Sequence, residues 1–216
     1  MEEDDAELKT IPPWVQLEYA HMRTLAGPGS SVHFTNLSTS SCTYITDNYK
    51  NHDTDSVASN DATSACHTTG VLDMLKTNAL GEPVDIKQVC LLDPKADQEL
   101  SPEDGDGRFK CFLFGGILGD EPPRDRTGEL RVLGFPARRL GPVQMTTDTA
   151  LGVTKLVVKD KIKVDEIPYI DYPTIKFNAK ESVEMPFRYI VKDGKPLLPP
   201  GMRELLHEDL NKSFDF

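Results

Sequence analysis

Short apolar strands alternate with amphipathic helices between residues 14 and 158, and this alternation predicts an α/β fold with a mostly parallel sheet. Two runs carry the prediction. Val89-Cys90-Leu91-Leu92 is wholly apolar, and Phe109 to Phe114 is apolar apart from Lys110, as strands covered on both faces require. Each is followed by a chain reversal, at Asp93-Pro94 and Gly115-Gly116 respectively, and then by polar sequence that leads back to an apolar segment. A chain of 216 residues is long enough to bury a real core in one domain.

The elements follow in order. Pro12-Pro13 precedes Trp14, Val15, Leu17, Tyr19, Met22 and Leu25, which recur near the helical period, and Gly27 is placed to end that helix. Val32, Phe34 and Leu37 mark a strand over Ser31 to Leu37. From Ser38 to Thr69 the sequence is rich in Ser, Thr, Asn and Asp with isolated apolar residues. It is expected to be a disordered insertion, because so little burial does not offset an ordering entropy of about 1 to 2 kcal/mol per residue. Val71 to Leu75 starts a short helix ending near Gly81, and Arg126 to Val132 reads as another. Thr146-Thr147-Asp148 opens a helix whose apolar face is Ala150, Leu151, Thr154, Val157 and Val158. In the tail, Ile167 to Phe177 and Glu184 to Val191 read as extended, Lys192 to Lys195 as a turn, and the residues after Pro199-Pro200 as a final helix. No internal repeat is visible.

Charge narrows the function classes. Thirty-five acidic residues against 24 basic ones give a net charge of -11, which disfavours phosphate backbones and favours a basic partner. No apolar run is long enough to span a bilayer and Met1 to Asp5 lacks a signal peptide's basic region, so a soluble, cytoplasmic protein is expected. Cys42, Cys66, Cys90 and Cys111 are read as reduced thiols. Cys42, His52, Cys66 and His67 match no common zinc spacing, and no metal is expected.

Two stretches stand out. In Gly115 to Thr127, three glycines allow close backbone approach to a ligand beyond a strand's carboxyl end, although a tight turn accounts for them as well. The stretch is not a P-loop, since no Gly-Lys-Ser/Thr follows, and the spacing is not the dinucleotide GxGxxG pattern. In Arg139 to Ala150, Gly141-Pro142 sets a sharp loop before a helix start whose amides suit an adenosine or carboxylate acceptor. Simple capping by Thr146, Thr147 or Asp148 is the alternative.

Taken together, Leu91-Leu92-Asp93-Pro94, GGILGDEPPRDRT (residues 115–127), RRLGPVQMTTDTA (138–150), Tyr169-Ile170-Asp171-Tyr172-Pro173 and Glu184 to Tyr189, with Trp14 to Tyr19 upstream, resemble the SPOUT-class arginine methyltransferase family. The resemblance implies an enzyme that uses S-adenosyl-L-methionine to modify an arginine of a small-subunit ribosomal protein, with a C-terminal trefoil knot (SPOUT-like) followed by an extended hairpin and helix. It implies three cofactor loops: Leu92, Asp93 and Pro94; Gly115, Gly116 and Gly119; and Leu140, Gln144, Met145, Thr146 and Thr147. A knotted domain over 1–165 and a C-terminal extension over 166–216 packing on it follow, as does a monomer, because the extension covers the usual dimer face. Relatives open with an apolar strand ahead of an acidic segment, whereas this chain opens at Met1-Glu2-Glu3, so the sheet is expected to lack that strand and expose a pairing edge.

A guanidinium has a pKa of about 12.5 to 13.8, so prior deprotonation near pH 7 costs on the order of 8 kcal/mol. A carboxylate that fixes its plane and accepts the proton during transfer avoids this step. Asp120, Glu121 and Glu184 are the candidates, Asp120 first, while Arg124, Asp125 and Arg126 are expected to pair within the loop. The competing readings are RNA methylation through Arg124, Arg126, Arg131, Arg138 and Arg139, and a non-catalytic ribosome-assembly protein. The interleaved Asp120, Glu121, Asp125 and Glu129 weaken the first.

Overall fold

Helix α1 (Pro13–Ala26) begins where Pro12 and Pro13 fix the entry and ends at Gly27, whose φ of 72° supplies the left-handed turn. The computed structural model describes residues 11–53, 60–116, 125 and 127–212. Strand β1 (Ser31–Phe34), helix α2 (Thr39–Asp53) and strand β2 (Thr63–Cys66) follow, with β1 and β2 parallel and α2 as the crossover.

This unit corrects the expectation of a disordered insertion over Ser38 to Thr69. Cys42, Ile45 and Tyr49 fall three and four residues apart, one helical face, and pack on Val15, Met22 and Phe34. Ser38 Oγ accepts from the Ser41 amide at 3.1 Å, and Ser41 is itself wholly buried. Residues 54–59 lie outside the described set.

Helix α3 (Val71–Lys76) leads to β3 (Val89–Leu92), which is central in a three-stranded parallel sheet, between β4 (Cys111–Leu113) and β5 (Ala137–Arg138). The parallel strands thus form two sheets rather than one. All four β3 residues are buried, and they alternate: Cys90 and Leu92 join Val153 and Val157, whereas Val89 and Leu91 join Leu75, Val84 and Phe135. Between β4 and β5 lies the one-turn α4 (Gly128–Arg131).

The two-residue β5 belongs to an extended segment bonded on both edges. The Leu91 and Asp93 amides donate to the Pro136 and Arg138 carbonyls at 2.8 and 2.9 Å. On the other edge, the Arg139 amide donates to the Gln98 carbonyl and the Leu100 amide to the Arg139 carbonyl, both at 2.9 Å. Residues 136–139 therefore run between the two limbs of the loop that joins residues 93 and 98.

Helix α5 (Thr147–Val158) packs lengthwise on α1. Gly152 sits where α1, α5 and the tail meet, since a Cβ there falls 3.3 Å from both Leu25 Cδ1 and Ile190 Cδ1. The tail is antiparallel: β6 (Tyr169–Asp171) pairs with β9 (Arg188–Lys192), β9 with β10 (Lys195–Pro196), and β7 (Thr174–Lys176) with β8 (Ser182–Glu184). Helix α6 (Met202–Lys212) closes the chain against α1.

Candidate functional site

Because β4, β3 and β5 are parallel, the loops after them leave from one edge of the sheet, where α/β proteins bind ligands. That edge brings together Leu92 to Pro94, Gly115-Gly116 and Leu140 to Thr147. Gly119, Asp120, Glu121, Arg124 and Arg126 lie outside the described residues.

Within the first loop the side chains are committed to the fold. Leu92 is buried in the apolar layer against α5, and Pro94 is exposed. Asp93 accepts from Arg131 Nε at 2.5 Å, Arg131 Nη2 at 2.8 Å, Thr127 Oγ1 at 2.9 Å and the Lys95 amide at 3.0 Å. The Arg131 guanidinium holds the Asp93 carboxyl below its ordinary range. Asp125 bonds Arg131, Lys95 and Thr127, and the Arg131 bonds and then the Lys95 ammonium lower its pKa as well, while Arg124 and Arg126, its expected partners, lie outside the described residues. This network ties Asp125, Thr127 and Arg131 to the end of β3.

The second loop offers space. Gly116 is exposed and has no left-handed φ, and a Cβ built there meets nothing within 4 Å among the described residues. Neither its backbone conformation nor the described protein atoms require a glycine, so the position is open to close approach by a ligand.

In the third loop Gly141 adopts φ 90°, Leu140 and Met145 pack in the apolar layer with Phe112, Phe114 and Tyr169, and Gln144 is exposed. Capping is not what occupies the start of α5. Thr146 makes no side-chain cap, and its hydroxyl donates to Thr149 Oγ1 at 2.8 Å, so the first-turn amides keep their donor capacity. The tail secures this loop, since the Arg188 amide donates to the Gln144 carbonyl at 2.9 Å, while the Arg188 side chain forks onto Asp171 and lies over the Tyr169 ring. Tyr169 Oη is buried without a hydrogen-bond partner among the described residues, and burial pushes its pKa up to about 12.

Apolar walls from Leu140, Met145 and the phenylalanines, an orphaned hydroxyl, uncapped helix amides and the clear space before Gly116 fit a nucleoside-type cofactor carrying apolar, acceptor and ribose parts. Glu184 is exposed on β8 opposite Thr174, and no described hydrogen bond or ion pair joins it to the three loops.

A second acidic cluster escaped the sequence reading. Glu18 and His21 of α1, Asp148 of α5 and Tyr189 of β9 are all buried. His21 Nδ1 donates to Asp148 Oδ2 at 2.7 Å, whereas Asp148 Oδ1 and Glu18 Oε2 have no partner among the described residues. Burial, and after it the Asp148 carboxylate, pushes the Glu18 carboxyl up to about 8. The available signal was positional: Glu18 falls between Val15 and Met22 on the buried stripe of α1, where an acid is out of place.

Known proteins resemble this chain in sequence and in fold. A crystal structure of the yeast arginine methyltransferase SFM1 complexed with SAM has TM-score 0.75 and 37% identity, covering 93% of this chain and 87% of that one. Another structure, described as a novel protein arginine methyltransferase, has TM-score 0.75 and 38% identity over 93% of this chain and 96% of its own. Among curated proteins, Protein arginine N-methyltransferase SFM1 of Saccharomyces cerevisiae is 53% identical over 133 residues, 59% of this chain and 62% of the relative, so the match spans less than two thirds of that protein's length. The family described as Protein arginine N-methyltransferase SFM1-like matches residues 1–213, and with nearly its whole length inside that match the chain belongs to this family.

Proposed function

We propose that the chain transfers a methyl group from S-adenosyl-L-methionine to an arginine side chain of a basic small-subunit ribosomal protein. The observation that carries this reading is that three loops leave one edge of the parallel sheet, one of them at a glycine left open by the described residues. Likeness to a relative complexed with SAM supports the cofactor, and the net charge of -11 supports a basic acceptor over RNA. The same charge, with the resemblance, supports the ribosomal protein. S-adenosyl-L-methionine, when bound, supplies an electrophilic methyl on a sulfonium sulfur.

The residues of the chain do the rest. Leu140, Met145 and the phenylalanines exclude water from the adenosine side, Gly116 leaves room for ribose and the methionine part, and the amides opening α5 offer donors. A carboxylate fixes the guanidinium plane and accepts its proton as the carbon–nitrogen bond forms. Asp120 and Glu121, beyond the glycine loop, and Glu184 are the sequence candidates for that role.

In this reading the backbone from 89 to 158 is a trefoil knot, a form nearly absent from other folds. Support comes from residues 136–139, hydrogen-bonded on both edges by the limbs of one loop. Residues 1–165 act as the cofactor domain and 166–216 as an extension packed on it, leaving a monomer. No described helix is long and apolar enough to cross a membrane, and we place the reaction in the cytoplasm, where ribosomal proteins are made.

The test offers small-subunit ribosomal proteins and ribosomal RNA together as acceptors for a labelled methyl donor. Label on a protein arginine, located by mass spectrometry, supports the reading. Label on RNA supports the competing SPOUT activity, and no cofactor binding at millimolar concentration supports a non-catalytic assembly protein.

A further inference from the structure

Three observations bear on the cluster at the junction of α1, α5 and β9. Two carboxyl groups, Glu18 and Asp148, are more than nine-tenths buried, and each keeps one oxygen without a hydrogen-bond partner among the described residues. Native interiors seldom leave such atoms bare, because each costs its full desolvation. They stand on different helices, and His21, by engaging Asp148 Oδ2, leaves Oδ1 as the bare oxygen. Asp148 also follows Met145-Thr146-Thr147 directly, so the acidic pair adjoins the end of the loop that bears the methyl donor in the proposed function.

We propose that Glu18 Oε2 and Asp148 Oδ1 form the seat of the substrate guanidinium, with His21 as the positioning residue that presents Asp148. This assignment rests on the arginine-methylation reading and deepens it. A planar guanidinium carries five N–H donors in a fixed fork, and two bare carboxyl oxygens from facing helices accept two of them.

Among the described residues, the titratable groups that act on one another at the seat are few. Glu18 and His21 come from α1 with Tyr19 beside them, Asp148 from α5 and Tyr189 from β9, and none of these is a lysine or arginine. The Asp148 and Glu18 charges, after burial, raise the Tyr189 pKa, so its phenol stays neutral. Glu18, raised by burial, holds its proton at neutral pH in the empty seat. An arriving cation favours the carboxylate, so Glu18 releases a proton on binding. During transfer the nitrogen–carbon bond would form as the donor's carbon–sulfur bond breaks with its electron pair going to sulfur, and the proton lost by the nitrogen would pass to Glu18, which regains its acid form as the product leaves.

The experiment titrates the full-length chain with N-acetyl-arginine methylamide by calorimetry at pH 7, in two buffers of different ionisation enthalpy. Wild type is expected to bind with release of about one proton. Glu18→Gln, which keeps the shape of the side chain, should bind about thirtyfold more weakly or worse and release none, and Asp148→Asn should lose binding similarly. Both variants should keep S-adenosyl-L-methionine affinity and melting temperature, which separates a seat from a structural support; His21→Gln, able to donate to Asp148, should restore most binding that His21→Ala loses. No binding by wild type, binding without proton release, or unchanged binding by Glu18→Gln overturns the seat. The two proposals fail separately: methyl transfer to a protein arginine by wild type and by Glu18→Gln alike removes the seat and leaves the function, whereas arginine binding without transfer to any protein removes the function and leaves the seat.

Discussion

Asp93 and Asp148 are equally buried, each 1% exposed, and each lies at the mouth of a loop beside the same sheet edge, yet their surroundings differ. Asp93 receives four donors from Arg131, Thr127 and the Lys95 amide, and its charge is matched by a guanidinium. Among the described residues, the Asp148 side chain receives one donor, from His21, and faces a second acid. Hydrogen bonds and an opposite charge offset the desolvation of a buried carboxylate in the first case and leave much of it standing in the second. The first arrangement stabilises a fold. The second is stable only as a protonated acid beside a carboxylate, and becomes fully satisfied when a cation arrives.

Substitutions at the two sites should therefore separate stability from turnover. The largest effect is expected at the unsatisfied site: Glu18→Gln should slow methyl transfer at saturating cofactor by about a hundredfold or more, with unfolding unchanged or harder. A parallel loss of stability would make Glu18 a structural acid like Asp93. At the satisfied site the pattern inverts. Arg131→Met strands the Asp93 carboxylate and should cost about 3 kcal/mol in denaturant unfolding, whereas a loss under 1 kcal/mol would contradict the network's structural role.

Next in size is the pH response. Glu18 binds its proton more tightly in the folded chain, up to about 8, than in the unfolded one, so its contribution to stability is fully present below pH 4.5 and is lost as pH rises through about 8. Stability measured across that window should fall in wild type and flatten in Glu18→Gln. Wild-type and variant profiles of equal slope would place the Glu18 carboxyl in the ordinary carboxylate range.

A smaller and opposite effect belongs to His33 of β1 and His67, just after β2, whose ring nitrogens share a 3.0 Å hydrogen bond. Burial lowers both pKa values, with His67 adding to the effect on His33. Their stabilisation should therefore be present above about pH 6.5 and lost as pH falls below it. His67→Gln should remove that acid sensitivity, and its persistence would assign the effect to another group.

The same contrast explains what the sequence reveals. Helix α1, strand β3 and helix α5 are legible nearly to the residue, because Gly27, Asp93-Pro94 and Thr146 punctuate strongly periodic or continuous apolar runs. Residues 39–53 are not, since Cys42, Ile45 and Tyr49 form a stripe too sparse to outweigh the polar residues around them, and the fully buried Ser41 looks like a loop residue. Strand β5 is two residues long and is held by bonds from residues 91–100, a partnership no local pattern encodes. The three loops are legible by glycine, proline and position after strands. Glu18, His21 and Asp148 are not, because 127 residues separate His21 from Asp148 and the aspartate alone reads as a helix cap.

Infrared difference spectroscopy of the carboxylic acid C=O band tests the claim about this unsatisfied pair most directly, with Glu18→Gln assigning the band. The account predicts a protonated Glu18 band at pH 7 that fades as pH rises through about 8 and disappears at pH 7 when an arginine derivative is added. A band absent from the free protein at pH 7, or unmoved by the arginine derivative, would contradict it.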